Sequence, residues 1–68
     1  MKRERFTPKK GQMYKNEGGG TYFCMDSDPN GTATMQNVLS GWTLTAHGCN
    51  IYENGKIDWD YSTNGRFA

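Results

Sequence analysis

The sequence lacks long apolar stretches. No segment approaches the roughly 20 consecutive apolar residues that a membrane-spanning helix needs, and no apolar run follows the charged residues at the start of the chain. We therefore expect neither a membrane span nor a secretory signal peptide. Only two cysteines are present, Cys24 and Cys49, so the default expectation is a cytoplasmic protein with reduced thiols.

Aliphatic residues are also scarce. Val, Leu and Ile together number five in 68 residues, whereas Phe, Trp and Tyr number nine. A chain of this length buries only roughly 60% of the surface that its unfolded form exposes. We therefore expect a small core that is built mainly by aromatic rings. A core this small favours a homo-oligomer.

The charges divide the chain into two parts. Residues 1–15 carry six basic residues and one acidic residue, a net charge of +5, whereas residues 16–68 carry two basic and six acidic residues, a net charge of −4. This asymmetry predicts a basic N-terminal arm over residues 1–10, clipped to the rest by Phe6, and a single small β domain over residues 11–68. The arm is a solvated terminus, a contact for phosphates or a contact for an acidic neighbouring subunit. The candidate contacts are Arg3, Arg5, Lys9 and Lys10.

Short β-prone runs between turn residues predict an all-β fold. The predicted strands cover residues 11–17, 21–25, 32–39, 42–47 and 49–61. The second of these is apolar on both faces, so we expect it to be buried on both sides. The third also permits a short helix, but without a cap or helical periodicity a strand is favoured. Together these strands predict a small antiparallel sheet or a partly open five-stranded barrel of the Src-homology-3-like kind.

A hairpin is predicted at Asn54–Gly55, because this dipeptide favours a tight two-residue turn. In that register Glu53 lies opposite Lys56, and Tyr52 lies opposite Ile57. One face of the hairpin then carries Tyr52, Ile57, Trp59 and Tyr61. Trp42, Leu44 and Ala46 alternate with polar residues on the preceding strand and are expected to face the core as well.

The polar faces of these strands are the first candidate site. Thr43, Thr45 and His47 lie on one strand, and Asp58 and Asp60 lie on the other. If the strands pair, a carboxylate near His47 would allow general-base chemistry, although a solvated face is the ordinary role of such residues.

Two further patterns suggest chemistry only weakly. Cys24, His47 and Cys49 provide three possible zinc ligands without a Cys-x-x-Cys pair, so buried free thiols are favoured. The glycine run 18–20 offers N–H groups to an anion, but a hairpin turn explains it better. We therefore expect no catalytic residue, no metal and no cofactor.

The aromatic residues point to binding rather than catalysis. More rings are present than a tiny core hides, so some are expected at the surface beside polar groups, where they suit a planar, nucleotide-like ligand. They suit a protein contact equally well, and internal packing is the remaining alternative. The predicted ligand-binding residues are Tyr14, Thr43, Thr45, His47, Asp58 and Asp60.

Four runs of the chain resemble those of small orphan proteins from phages and mobile elements of gut bacteria. The runs are Gly11-x-x-Tyr14-x-Asn16, Ala33-x-Met35-Gln36-Asn37, Gly41-Trp42-Thr43-x-Thr45-Ala46-His47-Gly48 and Ile57-x-Trp59-Asp60-Tyr61-Ser62. The resemblance implies a non-enzymatic inhibitor of host defence in the cytoplasm of the host bacterium. Such a protein sequesters a signalling nucleotide or blocks a host protein. The alternative function is a nucleic-acid-binding module that uses the basic arm and exposed rings.

Overall fold

Strand β5 lies at the centre of a curled antiparallel sheet in the computed structural model. The structure describes the backbone of residues 3–67 and the side chains of residues 3–63. The strands are β1 (Arg3–Arg5), β2 (Met13–Lys15), β3 (Thr21–Ser27), β4 (Ala33–Asn37), β5 (Trp42–Tyr52) and β6 (Ile57–Phe67). The described chain contains no helix, so the predicted all-β class is confirmed and the sheet fits a small, partly open barrel.

Strand β5 is long enough to pair along both of its edges. Strand β6 runs along one edge, while β4 and β1 share the other, β4 beside residues 43–46 and β1 beside residues 50–52. Strands β3 and β2 continue the sheet beyond β4. The curl brings the end of β2 back to the start of β6, where the Glu17 N–H donates to the Ile57 carbonyl at 2.7 Å.

Small and sulfur-containing side chains fill the core. Its buried apolar residues are Cys24, Ala33, Met35, Leu44, Ala46, Cys49 and Ile57. The described rings lie around this cluster rather than inside it; Tyr22 and Trp59, for example, meet edge to face with ring centroids 5.0 Å apart. The expected ring-built core is therefore wrong, because aliphatic and sulfur-containing side chains fill the centre and the rings pack against them from outside.

The hairpin between β5 and β6 has a different register from the predicted one. Ile51, not Tyr52, lies opposite Ile57. The loop has three residues, since Tyr52 N–H bonds the Lys56 carbonyl at 2.8 Å and Gly55 adopts a positive φ of 84°. A glycine with positive φ allows a three-residue loop, one residue longer than the predicted two-residue turn. The extra residue places Tyr52 on the opposite face of the sheet from Ile57.

Several apolar side chains expected in the core are exposed. Met25 lies where the pairing of β3 with β4 shifts register, so the strand does not keep its inward alternation there. Trp42 is 38% exposed because it precedes the first pair of β5 with β4, at the end of the sheet. Tyr61, on the outermost strand, is 59% exposed.

Residues 3–5 of the basic N-terminus are not a solvated arm, because they form strand β1 on the edge of β5. Phe6 clips this strand to the sheet as predicted. Its N–H donates to the Cys49 carbonyl at 3.1 Å, and its ring packs edge to face on Tyr14 at 5.6 Å.

The segment 32–39 contains strand β4, which confirms the preference for a strand.

The buried thiols are expected to react only when the protein opens. Burial raises the pKa of Cys49 to about 11 and also raises the pKa of Cys24, so neither is a thiolate at neutral pH. Ellman's reagent at pH 8 should therefore modify native protein slowly, and both cysteines at once in denaturant. A fast phase in native protein would contradict this burial.

Because the folded-state pKa values are raised, the thiols stabilise the fold below about pH 9, and that stabilisation is lost as the pH rises toward 11.

Candidate functional site

A cleft opens where β5 loses its partners on one edge. The pairing with β4 ends at Ala46, and the pairing with β1 begins at Asn50. Between them Gly48 adopts a positive φ of 69°. The resulting cleft has a volume of about 590 Å³, and its lining includes Arg5, Phe6, Asn30, Thr32, His47, Asp60 and Tyr61.

Two stacked rings form one wall of the cleft. His47 and Tyr61 lie opposite each other on β5 and β6, with ring centroids 4.4 Å apart and planes only 2° from parallel. His47 Nε2 shares a hydrogen bond of 2.8 Å with Thr63 Oγ1, which fixes the imidazole. The pair therefore holds a flat aromatic surface at the cleft while Tyr61 stays largely exposed.

An ion pair lies over the bend at Gly48. Arg5 Nη2 donates to Asp60 Oδ2 at 2.9 Å, and the two side chains are 65% and 40% exposed. The hydrogen bond from Arg5 holds the pKa of Asp60 below its usual range. A Cβ atom at residue 48 would collide with both side chains, so the absence of a side chain at Gly48 allows the pair to form across β5.

The second ion pair belongs to the scaffold rather than to the cleft. Arg3 Nη1 lies 3.4 Å from Asp58 Oδ2. Asn50 donates to Asp58 Oδ1 at 3.1 Å, and the Tyr52 hydroxyl donates to Asp58 Oδ2. This last bond raises the pKa of Tyr52, and the hydrogen bond to Tyr52 raises that of Arg3. The carboxylate of Asp58 is thus fully used in joining β1, β5 and β6.

The hypothesis of a carboxylate that orients His47 is wrong in this register. Asp60 lies opposite Gly48, and Asp58 lies opposite Asn50, whereas His47 lies opposite Tyr61. The two carboxylates form ion pairs with Arg3 and Arg5 instead. Among the described side chains, His47 contacts the ring of Tyr61 and the hydroxyl of Thr63.

The remaining predicted ligand-binding residues lie away from the cleft. Thr43 is only 6% exposed, and Thr45 borders a smaller depression beside Asp26 and Asp28. Tyr14 packs on Phe6, and its hydroxyl accepts a hydrogen bond of 2.9 Å from the Lys9 N–H.

Of the four predicted phosphate or acidic-partner contacts, Arg5 alone lines the cleft. Arg3 is paired with Asp58. Lys9 and Lys10 are exposed outside the cleft. The residues that the fold brings together at the cleft are thus Arg5, His47 and Asp60.

Sequence reasoning missed Tyr61 and the loop between β3 and β4. The sequence predicts Tyr61 on the core face of the hairpin and assigns no site to residues 29–32. Side-chain hydrogen bonds shape this turn: Asp28 Oδ1 accepts from Asn30 N–H at 3.2 Å, and Asn30 Oδ1 accepts from Thr32 N–H at 3.0 Å. The available signal is Gly48, because this loop approaches β5 at the bend there.

The glycine run is a turn between β2 and β3. Gly18 N–H donates to Asn16 Oδ1 at 2.7 Å, and Gly19 N–H donates to the Asn16 carbonyl at 2.9 Å. These donors are used within the turn, which supports the hairpin interpretation over an anion-binding loop.

Comparison of the chain with protein-family models, with curated proteins and with solved structures gives no match. Within residues 3–67, no helix is long and apolar enough to cross a membrane. The described side chains contain no group of three or more His, Cys, Asp and Glu residues that could hold a metal ion.

Replacing Asp60 by Asn is expected to flatten the loss of stability in acid. Since the folded-state pKa of Asp60 is lowered, its pairing with Arg5 stabilises the fold above about pH 4 and is lost as the pH falls further. The destabilisation by Asp60→Asn should therefore be present at pH 7 and shrink toward pH 2. Urea unfolding of both proteins across this range measures it, with Glu53→Gln as the control for removing one exposed carboxylate. A difference that does not change with pH would contradict the expectation.

Replacing Gly48 by Ala is expected to destabilise the fold by about 1–3 kcal/mol, because the positive φ and the collision with Arg5 and Asp60 both add cost. Gly11→Ala is a matched control, since Gly11 has a φ of 88° but open space around it. Chemical denaturation of the two variants separates the cost of the positive φ, which both share, from the cost of the collision, which only Gly48→Ala has. Equal losses would mean that the Arg5–Asp60 pair does not need the glycine.

Proposed function

We propose that the protein is a non-enzymatic binding protein whose cleft takes a nucleotide-like small molecule. The main observation that supports this proposal is the parallel stack of His47 on Tyr61, with Tyr61 largely exposed at the cleft wall. A nucleobase is a flat ring that gains about 1–3 kcal/mol from stacking on such a surface. A third ring added to an existing pair needs no rearrangement of the protein.

The dimensions of the cleft support a small-molecule ligand. Its volume of about 590 Å³ lies within the range of roughly 300–1,000 Å³ that is usual for such sites. The lining also includes Asn30 and Thr32, in a turn held by a hydrogen bond between them. Short polar side chains on such a turn suit hydrogen bonding to the edge of a base or to a sugar hydroxyl.

Arg5 supplies the positive charge of the cleft. Its Nη2 donates to Asp60 Oδ2, and its Nη1 lies close to the bend at Gly48. A guanidinium offers several donors in a fixed fork and so suits a phosphate that shares it with Asp60. The net charge of the pair is zero, which favours a ligand of few phosphates.

The burial of the two thiols and the contacts of His47 favour binding over catalysis. Both thiols are buried with raised pKa values, which suppresses nucleophilic attack. His47 is held by a hydroxyl and a phenol ring, so it lacks the carboxylate that orients a general base in the usual triad.

The resemblance to phage proteins extends the proposal to a biological role. The protein would act in the cytoplasm of a host bacterium and sequester a nucleotide that signals in host defence, or block a host defence protein. Function as a nucleic-acid-binding module is less well supported. Of the described cations of the arm, Arg3 is paired with Asp58, and Lys9 and Lys10 lie outside the cleft, so Arg5 is the one that lies beside the exposed rings.

Isothermal titration against cyclic and linear nucleotides and free nucleosides tests the proposal. We expect one class to bind, and Tyr61→Ala to weaken it by about tenfold or more through lost stacking. Tyr61→Phe should keep the affinity. Arg5→Gln should weaken nucleotides more than nucleosides, whereas Lys10→Gln, which removes an exposed cation outside the cleft, should not.

No heat with any ligand of the panel at millimolar concentration would refute the nucleotide proposal. Binding of single-stranded DNA or RNA that falls steeply with salt, and that Lys10→Gln weakens as much as Arg5→Gln, would favour the nucleic-acid alternative.

A further inference from the structure

The outer edge of β6 carries backbone groups that the described chain does not pair. One edge of β6 bonds β5 along its length. On the other edge, the described partner is a bridge at Ile57, whose carbonyl accepts from the Glu17 N–H. From Asp58 to Thr63 the outer edge therefore has no backbone partner among the described residues.

The direction of each backbone group follows from that bridge. Alternate residues of an antiparallel strand direct their N–H and C=O groups to the same side. Because the Ile57 carbonyl points outward to Glu17, Trp59, Tyr61 and Thr63 also point outward. These three residues present a row of donors and acceptors of the kind that pairs with another strand.

The usual protections of an edge strand are missing here. Residues 58–63 contain no proline and no lysine, and their pairing with β5 is regular. The two charged residues of this stretch do not shield the edge, because Asp58 and Asp60 turn across the face of the sheet to Arg3 and Arg5. An edge of this kind is a site for strand addition.

We propose that this edge pairs with the same edge of a second copy, antiparallel, about a two-fold axis at Tyr61. A second copy is the occupant because one isologous contact closes both open edges at once. An added peptide would close one edge and create another. Five residues on each strand, 59–63, would form about six backbone hydrogen bonds.

Charge disfavours an axis nearer to the N-terminus than Tyr61. With the axis at Tyr61, Asp60 lies opposite the uncharged Ser62 of the partner subunit, and Trp59 lies opposite Thr63. Moving the axis by one residue toward the N-terminus places the two Asp60 side chains opposite each other. Moving it by two residues places Asp58 opposite Asp60. Like charges in directly opposed positions are destabilising, so both of these registers are disfavoured.

The chosen register brings the partner subunit to the cleft. The two Tyr61 side chains lie on the same face of the joined sheet, as a cross-strand aromatic pair. Each Tyr61 lines a cleft, so the two clefts adjoin at the axis and each gains a ring from the partner subunit. This pairing does not depend on the ligand proposed above.

Analytical ultracentrifugation of the full chain without ligand tests the dimer, over about 5–500 µM. We expect a concentration-dependent mass of twice the 7.7 kDa of one chain. Ser62→Asp opposes two carboxylates in two symmetric places and should raise the dimer Kd by about tenfold, whereas Ser62→Lys should lower it several-fold.

A proline at residue 63 provides the second test. Thr63→Pro removes an outward N–H without removing a bond to β5, and it should abolish the dimer. Thr63→Ala removes the same contact to His47 but keeps the N–H, and it should remain dimeric. Circular dichroism confirms that each variant is folded; if the proline variant is not, the two Ser62 variants decide.

A monomer at every concentration would overturn the proposal, and so would a dimer whose Kd does not respond to the charge at residue 62. Titration of nucleotides reports on the cleft independently, so loss of one proposal leaves the other measurable.

Discussion

The bend at Gly48 is the constraint on which the rest of the structure depends. A positive φ at this residue interrupts β5 between the pairings with β4 and β1, and the absence of a side chain admits Arg5 and Asp60 to the space above it. The same residue therefore ends one strand contact, begins another and opens the cleft. The edge of β5 between these two pairings is where the cleft lies.

Charge pairing explains why the basic N-terminus folds. Arg3 and Arg5 lie on the same face as Asp58 and Asp60, across the intervening β5. Exposed ion pairs are individually weak. Here they act with the backbone bonds of β1 and with Phe6, which packs on Tyr14. The opposite charges of the two ends of the chain thus serve its own architecture first, and Arg5 remains at the cleft.

A core of small and sulfur-containing side chains has consequences for the surface. Because Cys24, Met35 and Cys49 occupy the centre, the rings are displaced to the rim and partly exposed. Tyr61 is the clearest case, since it stacks on His47 and still faces solvent. An exposed, ordered ring on an open strand edge is well placed for a planar ligand and for a second chain. Both proposals therefore originate in the small size of the core.

The sequence by itself determined the all-β class, the strand at residues 32–39, the buried thiols and the role of Phe6, because alternation, turn residues and composition act locally. It also pointed to His47, Asp60 and Arg5, but not to their relation. The tertiary structure alone decided that His47 meets Tyr61 instead of a carboxylate. One extra residue in the loop at Gly55 shifts the whole register of β6, and in a sheet a shift of one residue exchanges its faces. The cleft is likewise a tertiary feature, because the segments that line it are far apart in the chain and meet only where Gly48 bends β5.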